Sequence, residues 1–197
     1  MAVNSIRKRY LTKLSVSFCG SLFGLVTIGI VPRTLGPAQY GNFNFLNRTL
    51  NQFLLMLQFS SDNAFATKLS QRNNDLQLIG FYTILFLLSS AVFFSSIAIS
   101  FFTDTWTALF PNQQIDNVFM AGAHVILVLL STRLIAIADS FALTVAEWMK
   151  VVQRFTYVSL VIVATYFGMM DLKLLYVLHY ISALTLIALV LTILRRN

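Results

Sequence analysis

The sequence predicts an all-α integral membrane protein, a single domain over residues 1–197 with six transmembrane helices. Three observations predict it. Apolar residues make up 57 % of the 197 and charged residues 11 %, with a mean hydropathy of +0.76, whereas a soluble domain carries about 25 % charged residues to cover its core. Six stretches are apolar over about the 20 residues that a helix needs to cross hydrocarbon. The basic residues fall mostly on one side of those stretches. Eighteen Phe against eight Gly and three Pro exclude collagen-like, linker-like and disordered chains.

The predicted spans run, in order, over about 14–31, 42–59, 79–102, 118–138, 151–170 and 174–194. The first follows a basic N-terminal stretch, as a signal peptide would. Its apolar run is too long for one and no small-x-small site precedes a soluble chain, so it reads as a retained span. Pro32 ends it, Gly36-Pro37 make a turn, and Tyr40-Gly41 start the second span. That second span is unusually polar. The third contains no charge. A loop over 103–117 carries Asp104 and Asp116 and no Lys or Arg, and a loop over 139–150 separates the fourth and fifth spans. The short connections predict one bundle. Tyr40 and Trp106 suit one membrane interface, Trp148 and Tyr157 the other.

Charge placement gives the orientation. With the N-terminus in the cytoplasm, the inner side holds Arg7, Lys8, Arg9, Lys13, Lys68, Arg72, Lys150, Arg154, Arg195 and Arg196. The outer side holds only Arg33 and Lys173, and Arg48 and Arg133 fall within spans. Cytoplasmic loops carry the Lys/Arg excess, so the expectation is N-in and C-in. A pI near 9.9 would point to nucleic acid on a soluble protein. Here the spans explain it, and no nucleic-acid partner is expected. The lone Cys19 excludes an internal disulfide and a Cys-based metal framework.

The second span carries the chemistry. At 100° per residue, Asn44, Arg48, Asn51, Gln52 and Gln58 fall on one side, with Asp62 extending the line and Asn47 off it. Polar residues inside a membrane face a bundle interior or a water-filled cavity, and an intramembrane charge marks function by default. The competing reading is interhelical hydrogen bonding, with Arg48 snorkelling to headgroups. Arg133 lies within snorkelling reach of the inner end of its span and is a weaker cavity candidate. His124 and His179 read as hydrogen-bonded packing residues rather than a proton relay. Gly20-x-x-x-Gly24 reads as close helix packing. Neither a paired-carboxylate site, a nucleophile elbow nor a metal-ligand motif occurs, so no catalytic residue, metal or cofactor is expected.

The segment Val31-Pro32-Arg33-Thr34-Leu35-Gly36-Pro37-Ala38-Gln39-Tyr40-Gly41-Asn42-Phe43 is the most distinctive. Its Arg33, Leu35, Gly36, Pro37, Tyr40 and Gly41 resemble the R-x-L-G-P-x-x-Y-G turn between the first two helices of polysaccharide-biosynthesis membrane proteins. These are the O-antigen-type oligosaccharide flippases of the multidrug/oligosaccharidyl-lipid/polysaccharide exporter superfamily. Ala64-Phe65-Ala66-Thr67-Lys68 and Gln71-Arg72 resemble their next inner loop, so the resemblance covers roughly residues 5–75.

The resemblance implies translocation of an undecaprenyl-diphosphate-linked oligosaccharide across the bacterial cytoplasmic membrane by alternating access, through a polar, cationic cavity. Arg48 would hold the diphosphate and the Asn and Gln side chains the sugar hydroxyls. Family members have about twelve or more helices in two lobes. Six spans therefore imply one lobe, a fragment or half-size unit that works with a second lobe, a second copy or a glycan-synthesis partner. Two other readings compete. A multidrug-type exporter would be expected to hold an acidic residue inside the lobe, and the first three spans have none. A non-transporting scaffold of a glycan-synthesis complex would need no cavity.

Overall fold

The computed structural model describes residues 2–58, 61–71, 75–103 and 105–195, without the side chains of 2–9, 62, 70, 140–143 and 193–194. Arg72, Asp104 and Arg196, and the side chains of Arg7, Lys8, Arg9 and Asp62, therefore lie outside the described residues. The described chain is all helix: α1 (Ala2–Gln58), α2 (Ser61–Gln71), α3 (Leu76–Phe102), α4 (Thr105–Leu109), α5 (Ile115–Tyr166) and α6 (Leu172–Leu194). Four stretches are long and apolar enough to cross a membrane: Tyr10–Gln58, Leu76–Phe102, Ile115–Asp139 and Leu172–Thr192. Large apolar side chains such as Phe18, Leu25, Leu87 and Phe102 coat the outside. A water-soluble monomer rarely exposes so much apolar surface, whereas lipid solvates it at no cost. These are the properties of an integral membrane protein.

Helix α1 is two arms joined at one residue. Gly36 has φ 78° and ψ 162°, and it is the single non-helical position. Only glycine adopts that region without strain. Pro37 then sits at the first position of the second arm, where a missing N–H costs nothing. The turn expected across residues 32–41 is thus much tighter. Pro32 does not end the helix; it lies inside the first arm. The Thr34 hydroxyl donates to the carbonyls of Ile30 and Val31, both at 3.1 Å, near the last turn of that arm.

Helix α5 also doubles back. The rings of His124 and Tyr157 lie 4.5 and 4.2 Å from that of His179, centroid to centroid. A straight helix would hold them about 50 Å apart at 1.5 Å per residue. The loop expected over 139–150 is helical in both directions from this bend. It contains neither Gly nor Pro, so nothing in it opposes helix. Ala138, Ala146 and Met149 pack together on Leu186 and Val190. The second arm covers the residues of the expected fifth span, which is not among the four stretches, and ends in a Schellman motif. Gly168, with φ 65°, donates to the Thr165 carbonyl, and Met169 donates to that of Ala164.

Side-chain caps explain the starts of α3 and α6. Asp75 Oδ1 accepts from the Leu78 N–H at 3.1 Å to begin α3, and Asp171 Oδ1 accepts from the Leu174 N–H to begin α6. Contacts then set the directions. The second arm of α1 runs parallel to the first arm of α5: Asn42 meets Gln113, Asn47 meets His124, and Gln58 meets Arg133. The first arm of α1 runs beside the second arm of α5, with Phe23 on Phe155. Helix α3 runs opposite to the first arm of α5. Gly122 admits Phe93, whose ring edge would lie 3.3 Å from an added Cβ, and Arg133 reaches the Tyr82 carbonyl. One end of the bundle therefore gathers Lys13, Lys150 and Arg154. The Gly36 end gathers Asp116, Asp171 and Lys173.

The break predicts its own sensitivity. Gly36→Val should lower unfolding free energy by about 1–3 kcal/mol, the cost of a sparsely populated backbone conformation. Gly41→Ala, in helix with open space around it, should be neutral or slightly stabilising. Thermal unfolding in detergent measures both.

Candidate functional site

The polar side of the second arm divides into an outward rim and an inward set. Arg48 and Gln52 are exposed, while Asn44 and Asn51 are half-buried. Leu46, Leu50 and Leu54 form the buried face. Asn44 is held locally, its Nδ2 donating to the Tyr40 carbonyl at 3.0 Å. Among the described residues, Arg48 makes no ion pair and no side-chain hydrogen bond. Because the arm begins at Pro37 rather than at residue 42, Arg48 lies about 16 Å along it. Pro37–Gln58 covers about 32 Å of helix, so Arg48 sits about halfway along this arm.

Gln58 separates from the rim and is only 2 % exposed. Helix geometry explains this: at 100° per residue Gln58 lies about 40° from Leu54 but about 80° from Arg48. Its Oε1 accepts from Arg133 Nη2 at 3.4 Å. Arg133, 6 % exposed, does not snorkel. Its Nη1 donates to the Tyr82 carbonyl at 2.7 Å, Nη2 also donates to Ser61 Oγ at 3.3 Å, and the guanidinium carbon sits 4.8 Å from the Phe86 ring centre. The guanidinium fork ties α1, α2, α3 and α5 together. A buried charge is tolerable only with such satisfaction. Arg48 and Arg133 are therefore far apart in role: one is structural and enclosed, the other open.

The bundle interior also holds a cluster that the polar stripe did not indicate. His124 Nδ1 lies 3.1 Å from Asn47 Oδ1, the geometry of a ring N–H donating to the amide oxygen. His179 stacks on Tyr157 at 4.2 Å and on Phe43 at 5.6 Å. Tyr157 is thus an interior residue and not an interface anchor. Taken singly, each histidine looks like a packing residue. The signal was joint: the chain has two His, at similar depth in spans that run in the same direction, and Asn47 faces away from the rim.

At the opposite end from Gly36, a cavity of about 460 Å³ between the first arm of α1 and the second arm of α5 is lined by Lys13, Gly20, Glu147, Lys150 and Arg154. Lys150 is paired with Glu147 at 3.0 Å and Asp139 at 3.9 Å. Gly20 has a different use from the close helix packing expected of Gly20-x-x-x-Gly24. A Cβ there would overlap the Arg154 guanidinium, while one on Gly24 would meet nothing. The glycine makes room for a cation. Among the described residues, no three His, Cys, Asp or Glu side chains assemble as metal ligands would.

Comparison with family models, curated proteins and solved structures finds no match for this chain.

The Asn47–His124 pair is testable by a double-mutant cycle. Asn47→Leu alone leaves a buried ring N–H unpaired and should cost about 1–3 kcal/mol. Asn47→Leu combined with His124→Phe should recover most of that loss, because neither polar group remains. Unfolding in detergent reads the coupling.

Proposed function

We propose that this chain is one lobe of a flippase that moves an undecaprenyl-diphosphate-linked oligosaccharide across the bacterial cytoplasmic (inner) membrane for surface polysaccharide biosynthesis. The observation that carries the reading is Arg48, exposed and without an ion pair or side-chain hydrogen bond among the described residues, near the middle of a membrane-length arm. Against lipid such a charge costs about 2.5–3.5 kcal/mol on insertion scales. Against a water-filled cavity it costs little and offers a forked donor for a diphosphate. Asn44, Asn51 and Gln52 flank it with amides suited to sugar hydroxyls. The cavity closes only when a second lobe, a second copy or a partner faces this rim.

Several features support the finer topology of six spans with both termini inside. The arms of α1 and α5 alternate in direction with α3 and α6, and Lys13, Lys150 and Arg154 share one end. The resemblance of the Arg33–Gly41 turn supports the family. The cationic cavity at the basic end suits first contact with a diphosphate from the cytoplasmic leaflet. A multidrug-type exporter is disfavoured, since the first three spans hold no carboxylate.

The test replaces Arg48 in cells that make the chain. Arg48→Ala should abolish export of surface polysaccharide, and Arg48→Lys should retain part of it, since charge survives without the fork. Normal export by the Ala variant, at normal protein level, contradicts the assignment.

A further inference from the structure

The cavity at the basic end carries charge that the bundle itself does not use. At about 460 Å³ it lies within the size range of small-molecule sites. Lys13, Lys150, Arg154 and Glu147 supply its charged lining. Lys150 is committed, with its Nζ 3.0 Å from Glu147 Oε1 and 3.9 Å from Asp139 Oδ2. Asp139 also feels the charge of Lys13, beyond ion-pair distance. Counting both carboxylates against the three cations, the balance is still positive. Lys13 and Arg154 form no ion pair and no side-chain hydrogen bond among the described residues. Both are exposed, so a ligand can reach them.

The arrangement is a recess rather than a flat basic surface. Gly20 is buried, and a Cβ there would overlap the Arg154 guanidinium. The missing side chain therefore lets that guanidinium lie against the first arm of α1. Gly20 is seven residues beyond Lys13, about 10 Å further along the arm. The two cations thus sit at different depths of one cavity. Ser17 lies between them on the same lining, and its hydroxyl has no partner among the described residues.

The flanks are apolar. Leu14 and Phe18 follow Lys13 and Ser17 on one arm, Phe155 follows Arg154 on the other, and all three are exposed. The first arm belongs to a stretch long and apolar enough to cross a membrane. A ligand seated here meets two free cations and has hydrocarbon directly alongside. That combination suits a lipid headgroup whose chains stay in the bilayer, and basic pockets between transmembrane helices take anionic headgroups in this way. A zwitterionic headgroup fits less well, because its own ammonium would meet Lys13 or Arg154.

We propose that this cavity is a binding site for an anionic phospholipid, with Lys13 and Arg154 holding the headgroup phosphate and Ser17 donating a hydrogen bond to it. Arg154 supplies a forked donor and Lys13 a point charge. The site depends on the chain spanning a membrane and not on the role of Arg48, so its failure would leave that role as it stands.

The experiment uses the full chain purified in a neutral detergent. Bound lipid is counted by native mass spectrometry during titration with phosphatidylglycerol or phosphatidylcholine. Phosphatidylglycerol should bind saturably and about tenfold more tightly than phosphatidylcholine, and millimolar inorganic phosphate should not displace it. Lys13→Gln or Arg154→Gln should weaken its binding about fivefold, and the double variant about thirtyfold, as expected for one and two cations beside an anionic lipid. Lys173→Gln, at the Gly36 end, removes the same charge away from the cavity and should leave binding unchanged. Gly20→Ala keeps every charge but displaces the guanidinium, and should also weaken binding. It serves as the second test should a charge variant fail to fold, since helix favours alanine over glycine. The proposal is overturned by equal binding of the two lipids, or by displacement with inorganic phosphate, which would mark a site for the free anion. Unchanged binding in the folded cavity variants, or an equal loss in Lys173→Gln, overturns it as well.

Discussion

Hydrocarbon offers no hydrogen bonds, so each polar side chain between the helix ends has to find a partner inside the bundle or face water. Much of the architecture follows from that constraint. Serine and threonine hydroxyls fold back onto carbonyls one turn earlier, as Thr27 does to Phe23 and Ser131 to Leu127. Arg133 divides its guanidinium between the Tyr82 carbonyl, Gln58 and Ser61. Asn47 meets His124. Arg48 stands out against this background because it has the same chemistry as Arg133, a similar cost in lipid, and no partner among the described residues.

Two reversals make the internal pairings possible. At Gly36 the first helix folds back on a backbone conformation that a side chain would strain. Between His124 and Tyr157 the long α5 helix doubles back, which brings both rings onto His179. The result places Leu46, Leu50 and Leu54 against the core that includes Phe93, Val118 and Tyr176. It also turns the Arg48 side of the same arm outward. A helix with one face so well packed has its rotation fixed, so the exposure of Arg48 and Gln52 is a consequence of core packing. That fixed rotation connects packing energy to the proposed cavity.

Much of the fold was legible because hydrophobic length and turn chemistry are local. The all-helical membrane character, the Gly36-Pro37 reversal and four of the apolar stretches follow directly from the residues. Other features were not legible, for physical reasons. The stretch 139–150 is polar enough to read as a loop, but it lacks any residue that breaks a helix. Gln58 shares the polar composition of the rim, yet angular drift along the helix carries it to the buried side. Gly20 and Gly24 match a packing motif by spacing, while Gly20 in fact accommodates Arg154, far away in the chain but adjacent in the bundle. His124 and His179 come together only through the tertiary arrangement, which no single span encodes.

The role proposed for Arg48 requires its rim to face water rather than lipid. Cysteine accessibility tests this most directly. In a Cys19→Ser background, Arg48→Cys and Leu88→Cys are compared in intact membranes with a membrane-impermeant thiol reagent. Leu88 is 60 % exposed on the apolar outer surface and provides the lipid-facing reference. Rapid modification is expected at position 48 and almost none at position 88. Equal resistance of both positions would place the rim in lipid and contradict it.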